Sequence, residues 1–195
     1  MRTAVGCPAC GGLVESEAIE IPDHEYGLEQ LARYAECQAC GTIFQNPMPD
    51  VSELAKFYPP DYHSMMHGGL LNSVRNEMRI RRLTKLAPDD GPILDFGCGD
   101  GAFLAQAAQT MPGRALWGFE IAERPSKVDL EGGAVKIVRG GLSDLLEVLP
   151  PCTLITMNHV IEHLPDPQAT IAALALRLAN VSRHFRYSRV RCAPE

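Results

Sequence analysis

The hydrophobic and polar positions follow two alternating periods along the second half of the chain. Short apolar runs alternate with stretches in which apolar residues recur every three or four positions, the patterns of buried strands and of amphipathic helices. Strands are predicted at 92–96, 115–120, 134–138 and 153–158. Helices are predicted near 101–111, 142–149 and 167–179. Strand–helix units of this length pair in parallel through right-handed crossovers, so we expect an α/β sheet covered by helices on both faces.

A further helix is predicted just before the first of these strands. Residues 69–87 contain apolar side chains at helical spacing, namely Leu71, Val74 and Met78. An adjacent stripe is basic and consists of Arg75, Arg79 and Arg82. We interpret this stripe as a solvated helix face, with contact to an anionic substrate as the alternative. Residues 46–63 contain four prolines, which predicts a linker with one helical turn between Ser52 and Tyr58.

Composition and charge restrict the class of partner. A chain of 195 residues, 46% of them hydrophobic, accommodates one ordinary domain and a small additional module. The formal net charge is −6, and residues 1–80 carry eleven acidic against five basic side chains, so no nucleic-acid partner is expected. No stretch approaches the ~20 apolar residues of a membrane span, and no secretory signal pattern is found. We expect a cytoplasmic protein with a small-molecule partner and no membrane association.

Four of the seven cysteines form two CxxC pairs separated by 26 residues, Cys7 with Cys10 and Cys37 with Cys40. Each pair is followed by glycine, which allows the tight turn that brings two sulfurs to one ion. Without a secretory signal a disulfide framework is disfavoured, whereas four thiolates match a structural zinc site. The pattern predicts a zinc ribbon over residues 1–45, with redox-active cysteine pairs as the alternative.

A glycine-rich segment follows the first strand of the α/β region. Asp95 ends this strand and precedes three glycines, which are Gly97, Gly99 and Gly101. The glycines let the backbone approach a ligand closely, and the start of the next helix offers free N–H groups to an anionic group. Glu120 ends the second strand, where an acidic side chain can accept hydrogen bonds from both hydroxyls of a ribose. The combination predicts a cofactor that contains a nucleoside.

Two classes of cofactor use this arrangement. The spacing here is DxGxGxG, in place of the GxGxxG of dinucleotide sites. Asp95 and Asp100 would repel a pyrophosphate, whereas S-adenosylmethionine presents an ammonium and a sulfonium that acidic groups can hold. The pattern favours S-adenosylmethionine, and a nicotinamide-dependent oxidoreductase is the less favoured alternative.

Two segments resemble a known family. Residues 93–104, ILDFGCGDGAFL, look like motif I of class I S-adenosylmethionine-dependent methyltransferases, and residues 157–167, MNHVIEHLPDP, look like the end of that family's fourth strand. The order CPAC, CQACG, FQNPMPD, FYPPDY and then motif I resembles a bacterial subgroup with an N-terminal zinc ribbon. Members of that subgroup often modify sugars or other small molecules. The resemblance implies a Rossmann-like methyltransferase sheet that follows a small zinc ribbon, and methyl transfer to a small-molecule acceptor.

The resemblance also implies roles for single positions. It places the methionine part of the cofactor against the loop residues Asp95, Gly97 and Gly99. Cys98 and Gly101 of the same loop are expected as further cofactor-binding residues. It places the ribose and adenine beside Glu120 and Ile121, and it places Asn158 where the site closes.

Two further contacts of the cofactor are less direct. The family usually has Gly-Asp after the third strand, where this chain has Gly140-Gly141. The contact to the adenine amine is therefore expected from the backbone, Ser143 or Asp144. Tyr58 and Tyr62 are candidates for covering the cofactor, with plain packing as the equal alternative.

Residues 159–163 read HVIEH, which also matches the inverted zinc-peptidase motif. That motif needs a helix and a further acidic ligand well downstream. Residues 159–163 instead follow directly after a hydrophobic strand, which favours the methyltransferase interpretation. His159 then lies where a base can take a proton from an acceptor. A buried histidine with a structural role is the slightly favoured alternative.

The last residues depart from the family pattern. Residues 181–195 hold four arginines and no strand-like alternation, where the family continues with a fifth strand. We expect a truncated sheet of the first four strands over residues 89–180, preceded by the linker and helix of residues 46–88. Such a chain exposes the edge of its fourth strand. An inactive fragment or a zinc-binding interaction module is therefore an alternative to an active methyltransferase.

Overall fold

The computed structural model describes residues 6–14, 19–22, 32–48, 70–87, 90–121 and 135–179. Three predicted features lie outside these residues: the helical turn between Ser52 and Tyr58, the candidate covering residues Tyr58 and Tyr62, and the arginine-rich tail. In the described part, no helix is both long and apolar enough to cross a lipid bilayer.

The N-terminal part forms a three-stranded antiparallel sheet in the order β1-β2-β3. Its strands are β1 (Ile19–Ile21), β2 (Ala32–Glu36) and β3 (Ile43–Gln45). Ala35 and Phe44 face each other across β2 and β3 and are buried with two of the four cysteines of the CxxC pairs. This small cluster holds few apolar side chains, so it supplies little folding free energy by itself.

The second sheet is parallel and has the order β6-β5-β4-β7. Its strands are β4 (Ile93–Phe96), β5 (Leu116–Glu120), β6 (Val135–Arg139) and β7 (Leu154–Met157). The helices are α1 (Leu70–Leu86), α2 (Ala102–Thr110), α3 (Leu142–Val148) and α4 (Pro167–Ala175), with a 3-10 turn at Ile161–His163. The four predicted strands and the helix before them are confirmed within two residues at each end. The sheet with its helices has the Rossmann-like α/β arrangement that the sequence predicts.

The helix predicted at 167–179 ends earlier than expected. α4 stops at Ala175, and the chain then returns toward the start of β7. The Cys152 N–H donates to the Arg177 carbonyl (2.7 Å), and the Ala179 N–H donates to the Cys152 carbonyl (2.8 Å). Leu178 thereby forms a parallel bridge beside β7, which lies at one edge of the sheet in the described residues.

Helices cover the sheet on both faces, because alternate side chains of each strand point to opposite sides. On one face, Ile93 and Leu116 pack against α1 and α2. On the other face, Leu94, Phe96 and Phe119 pack with residues of α3 and α4. All four residues of β4 are buried, so this strand lies at the centre of both cores. Asp95 belongs to the α1 and α2 face by the same alternation.

A buried arginine joins α1 to the amino ends of two strands. Arg114 is 8% exposed and donates to the carbonyls of Ala87 (2.7 Å) and Gly91 (3.0 Å) and to the Thr153 hydroxyl (3.1 Å). These bonds satisfy the carbonyl at the end of α1 and fix the segments that enter β4 and β7. Arg114 thus holds the helix and the sheet in register at the end of the strands opposite the glycine loop.

Candidate functional site

The loop between β4 and α2 depends on glycine at three positions. Gly97, Gly99 and Gly101 all have left-handed φ angles, of +77°, +58° and +82°. This conformation is costly for residues that carry a Cβ atom. At Gly97 a Cβ atom would also lie 2.2 Å from Cγ2 of Val160. The loop is therefore specified by its glycines and by the close approach of the segment after β7.

The loop is tied to the neighbouring strand β5. The N–H groups of Gly97 and Cys98 both donate to the Phe119 carbonyl, at 2.8 and 2.9 Å. Gly118 permits this approach, because a Cβ atom there would lie 2.7 Å from both Cys98 Sγ and Leu104 Cδ1. The carboxyl ends of β4 and β5 and the start of α2 form one rigid edge of the sheet.

Asp95 is the buried acidic residue at this edge, with 4% exposure. Its Oδ1 accepts a hydrogen bond from the Thr156 hydroxyl (2.7 Å) and a longer one from Asn158 Nδ2 (3.4 Å). Burial raises the pKa of Asp95 from 3.8 to about 6, although these bonds and the nearby Arg79 charge favour the carboxylate. A bound cation would therefore stabilise this carboxylate strongly.

Glu120 lies beside the loop at the end of β5. Its Oε2 accepts a hydrogen bond from the Gly99 N–H at 2.9 Å, which holds the carboxylate against the glycine loop. The next side chain, Ile121, is 49% exposed at the same edge of the sheet. The structure therefore brings together Asp95, the three glycines and Glu120, as the sequence predicted, with an exposed apolar side chain next to them.

Cys98 contributes to this edge through its backbone. Its side chain is buried in the core beneath the loop, and burial raises the pKa of the thiol to about 12. A neutral, buried thiol is neither a nucleophile nor a ligand contact. The backbone of Cys98 is what remains available to a bound molecule.

Ser143 and Asp144, the residues suggested for the adenine amine, lie in the first turn of α3 and are exposed. The Gly141 N–H donates to Asp144 Oδ2 at 2.7 Å, so this carboxylate caps its own helix. Asp144 already has this structural role, whereas the Ser143 side chain faces solvent.

His159 differs from the favoured expectation of a buried histidine. Its side chain is 80% exposed, and Nδ1 lies 3.5 Å from Oε1 of Glu162. The backbone of His159 is left-handed, with φ of +53°, a conformation unusual for a residue with a Cβ atom. The expectation of burial was wrong, because the turn after β7 points this side chain outward.

The inverted zinc-peptidase interpretation is excluded by the local conformation. That motif needs its histidines and glutamate on one face of an α-helix. Here residues 161–163 form a 3-10 turn and His159 precedes it in a left-handed conformation. Among the described residues, the cysteine cluster is the one group of potential metal ligands.

Two residues of the site were not identified from the sequence. Thr156 lies opposite Asp95 in the β4–β7 pairing, and only the register of that pairing reveals the contact. Arg79 was assigned to a solvated stripe, but its guanidinium lies over the Phe103 ring, with Cζ 4.4 Å from the ring centroid. Burial lowers the pKa of Arg79, whereas the negative charge of Asp95 opposes that effect.

The two CxxC turns have the same geometry. In the first, Cys7 N–H donates to the Gly12 carbonyl (2.8 Å), and in the second, Cys37 N–H donates to the Thr42 carbonyl (2.9 Å). Gly11 and Gly41 complete these turns with φ of +72° and +70°.

The turns bring the four cysteine sulfurs together. The Cys7–Cys40 and Cys10–Cys37 Sγ distances are 3.7 and 3.6 Å, and all four atoms lie within 4.8 Å of one another. Tetrahedral zinc with bonds of about 2.3 Å places sulfurs about 3.8 Å apart. The ligand set and its spacing therefore fit a four-thiolate zinc site.

Residues 72–184 match the family model of a methyltransferase domain. No curated protein matches the chain.

Solved structures with similar backbones were also found. EvdMO1 is 23% identical, with a TM-score of 0.46, over 52% of this chain and 26% of its own. CalS10, an amino pentose methyltransferase from Micromonospora echinaspora, is 21% identical, with a TM-score of 0.42, over 67% and 52%. The plantazolicin methyltransferase BpumL is 16% identical, with a TM-score of 0.47, over 67% and 53%. The chain thus spans between about a quarter and about half of the length of these proteins.

Proposed function

The chain belongs to the family of methyltransferase domains, whose model covers more than half of it, and from this premise we propose that it transfers the methyl group of S-adenosylmethionine to a small-molecule acceptor. The observation that carries the proposal is the convergence of Asp95 and Glu120 on a loop of three left-handed glycines. A nucleoside joined to an amino acid offers an ammonium group for Asp95 and ribose hydroxyls for Glu120.

S-adenosylmethionine supplies an electrophilic methyl group when it is bound. Asp95 is suited to the methionine ammonium, because its buried carboxylate gains most from a positive partner. The Gly97, Gly99 and Gly101 backbone leaves room for the amino-acid part, and Cys98 adds its backbone. Glu120 would accept hydrogen bonds from the ribose hydroxyls and Ile121 would pack on the adenine. In this proposal Ser143 or Asp144 faces the adenine amine and Asn158 closes the site.

The acceptor side of the site supports general-base chemistry. His159 is exposed beside this edge, and Glu162 lies near its Nδ1. In this arrangement Nε2 takes a proton from an acceptor hydroxyl while Glu162 stabilises the resulting imidazolium. Replacing His159 with Gln is expected to lower kcat at least tenfold and to leave the Kd for S-adenosylmethionine unchanged. An unchanged kcat would remove His159 from the mechanism.

The proposed acceptor is a small molecule such as a sugar. The support is the resemblance of the N-terminal cysteine and proline pattern to a subgroup whose members often modify sugars or other small molecules, together with a net charge of −6 that opposes nucleic acid. Incubating the protein with methyl-labelled cofactor and a panel of amino and hydroxy sugars would test whether the acceptor is a sugar. If none of the sugars is labelled, a sugar acceptor is contradicted.

Isothermal titration with S-adenosylmethionine and with NAD tests the cofactor class. We expect saturable binding of S-adenosylmethionine and none of NAD, with binding lost in Asp95→Asn. The matched control is Asp90→Asn, which makes the same change at an exposed residue on the opposite end of β4. Binding of NAD alone would support the oxidoreductase alternative. Absence of binding by a folded protein would support the inactive-fragment alternative.

We further propose that the four cysteines hold a structural zinc ion. The support is the close spacing of the four sulfurs, all within 4.8 Å of one another, in two equivalent turns. One zinc per chain is expected by elemental analysis. Cys10→Ser should lower that content, whereas Cys98→Ala, at a buried thiol outside the cluster, should retain it. Two disulfides in place of zinc would instead favour the redox interpretation.

A further inference from the structure

Arg79 differs from the other arginines of α1. Arg75 and Arg82 are exposed, whereas Arg79 is half-buried and its guanidinium stacks on Phe103. Phe103 is the second residue of α2, directly after the glycine loop. The stacking therefore fixes a positive charge beside the loop, at a lower entropic cost than a freely moving side chain would require.

The guanidinium lies on the same side of the sheet as Asp95. Ile80, next to Arg79, is fully buried in the core formed by α1, α2 and that face. Among the described residues, Arg79 makes the ring contact with Phe103, and its guanidinium makes no hydrogen bond there. A planar fork of N–H donors is the geometry that binds a carboxylate through two parallel bonds.

The charges at this side of the loop complement an amino acid. An α-amino acid carries one ammonium and one carboxylate, and so it needs one acidic and one basic partner a few ångströms apart. Asp95 is the acidic group and Arg79 the basic group. The positive charge of Arg79 lowers the pKa of Asp95, and the negative charge of Asp95 raises the pKa of Arg79. The start of α2 adds N–H groups to the basic side.

We propose that Arg79 binds the carboxylate of the methionine part of S-adenosylmethionine. The inference rests on the proposed function, since it names the residue that selects one group of that cofactor. It makes α1 part of the cofactor site, although α1 precedes the glycine loop and shows no cofactor motif. Through this contact the protein would bind S-adenosylmethionine in preference to nucleosides without an amino-acid carboxylate.

The test compares two ligands that differ in one group, S-adenosylmethionine and decarboxylated S-adenosylmethionine. Wild-type protein is expected to bind the first about 10- to 100-fold more tightly, the range for a charge-assisted hydrogen-bonded pair. Arg79→Met is expected to lose this preference while its Kd for the decarboxylated ligand stays within about twofold of wild type. Arg75→Met, one turn earlier and exposed, is the matched control and should keep the preference.

Arg79→Lys extends the test to a variant that keeps the charge. Lysine retains the positive charge without the fork, so an intermediate preference is expected. Circular dichroism before titration verifies that each variant is folded.

Three outcomes would overturn the inference. If Arg79→Met retains the full preference, another group binds the carboxylate although the proposed function stands. If Arg79→Met weakens the binding of both ligands equally, Arg79 only supports the conformation of the loop. If wild-type protein binds neither ligand, the proposed function itself fails and the inference fails with it.

Discussion

Asp95 combines burial with a negative charge, and this predicts an unusual dependence of stability on pH. Because its pKa is raised from 3.8 to about 6, the folded protein binds the proton more tightly than the unfolded chain. The stabilisation is present below pH 3.8 and is lost as the pH rises through 6, a difference of about 3 kcal/mol. Denaturation of wild type and Asp95→Asn from pH 4 to 7.5 isolates this contribution. If the difference in free energy of unfolding between wild type and Asp95→Asn does not vary with pH, the raised pKa of Asp95 is contradicted.

At Gly97, an added Cβ atom should destabilise the protein in two ways, through backbone strain and through a clash with Val160. Gly97→Ala forces a left-handed alanine and a contact 2.2 Å from Val160, so a loss of at least about 2 kcal/mol in the free energy of unfolding is expected. Gly113→Ala is the control, because Gly113 has φ of +80° and open space around its Cβ position. Gly113→Ala should cost about 1 kcal/mol. Equal losses in thermal or urea unfolding would show that Val160 adapts freely.

Single residues differ in how far the sequence reveals them. Asp95 and the glycines were predicted because their roles follow from local spacing along one chain segment. Thr156 and Arg79 were not, because their contacts depend on strand register and on how α1 packs across the sheet. The exposure of His159 was missed since a left-handed residue in a turn leaves no periodic signal.

Among the elements, α1 and the sheet are joined by Arg114, which predicts a large effect from one substitution. Arg114→Met leaves the carbonyls of Ala87 and Gly91 without their charged donor, and a loss of at least about 2 kcal/mol is expected. Arg81→Met is the control, because Arg81 is 74% exposed and pairs with Glu77 on the surface. Urea unfolding measures both variants. A near-neutral Arg114→Met would show that other contacts hold α1 in place.

Element boundaries were predicted best where hydrophobic periodicity was strongest. β4 and β5 are buried on both faces, so their apolar runs mark them clearly. The three short strands of the N-terminal sheet were not predicted, because its core consists of few apolar residues around four cysteines. The end of α4 was missed because Leu178 continues the helical spacing of Ile171 and Leu174, while the bridge to Cys152 ends the helix.

At the scale of the whole molecule, the cysteine cluster and the parallel sheet have separate cores, which predicts independent responses to metal removal. A chelator is expected to unfold the N-terminal sheet, because its few apolar contacts cannot replace the four bonds to the proposed zinc ion. The parallel sheet should keep its structure and its Kd for S-adenosylmethionine within about threefold. Hydrogen exchange with and without chelator would locate the change, and loss of protection in β4 and β5 would contradict the separation.

The direct test of the account is a crystal structure of the full chain with S-adenosylhomocysteine, the product of methyl donation. We expect the ribose hydroxyls on the Glu120 carboxylate, the amino group beside Asp95 and the adenine against Ile121, at the carboxyl ends of β4 and β5. A ligand bound elsewhere, or a dinucleotide at this edge in its place, would contradict the assignment of the glycine loop to S-adenosylmethionine.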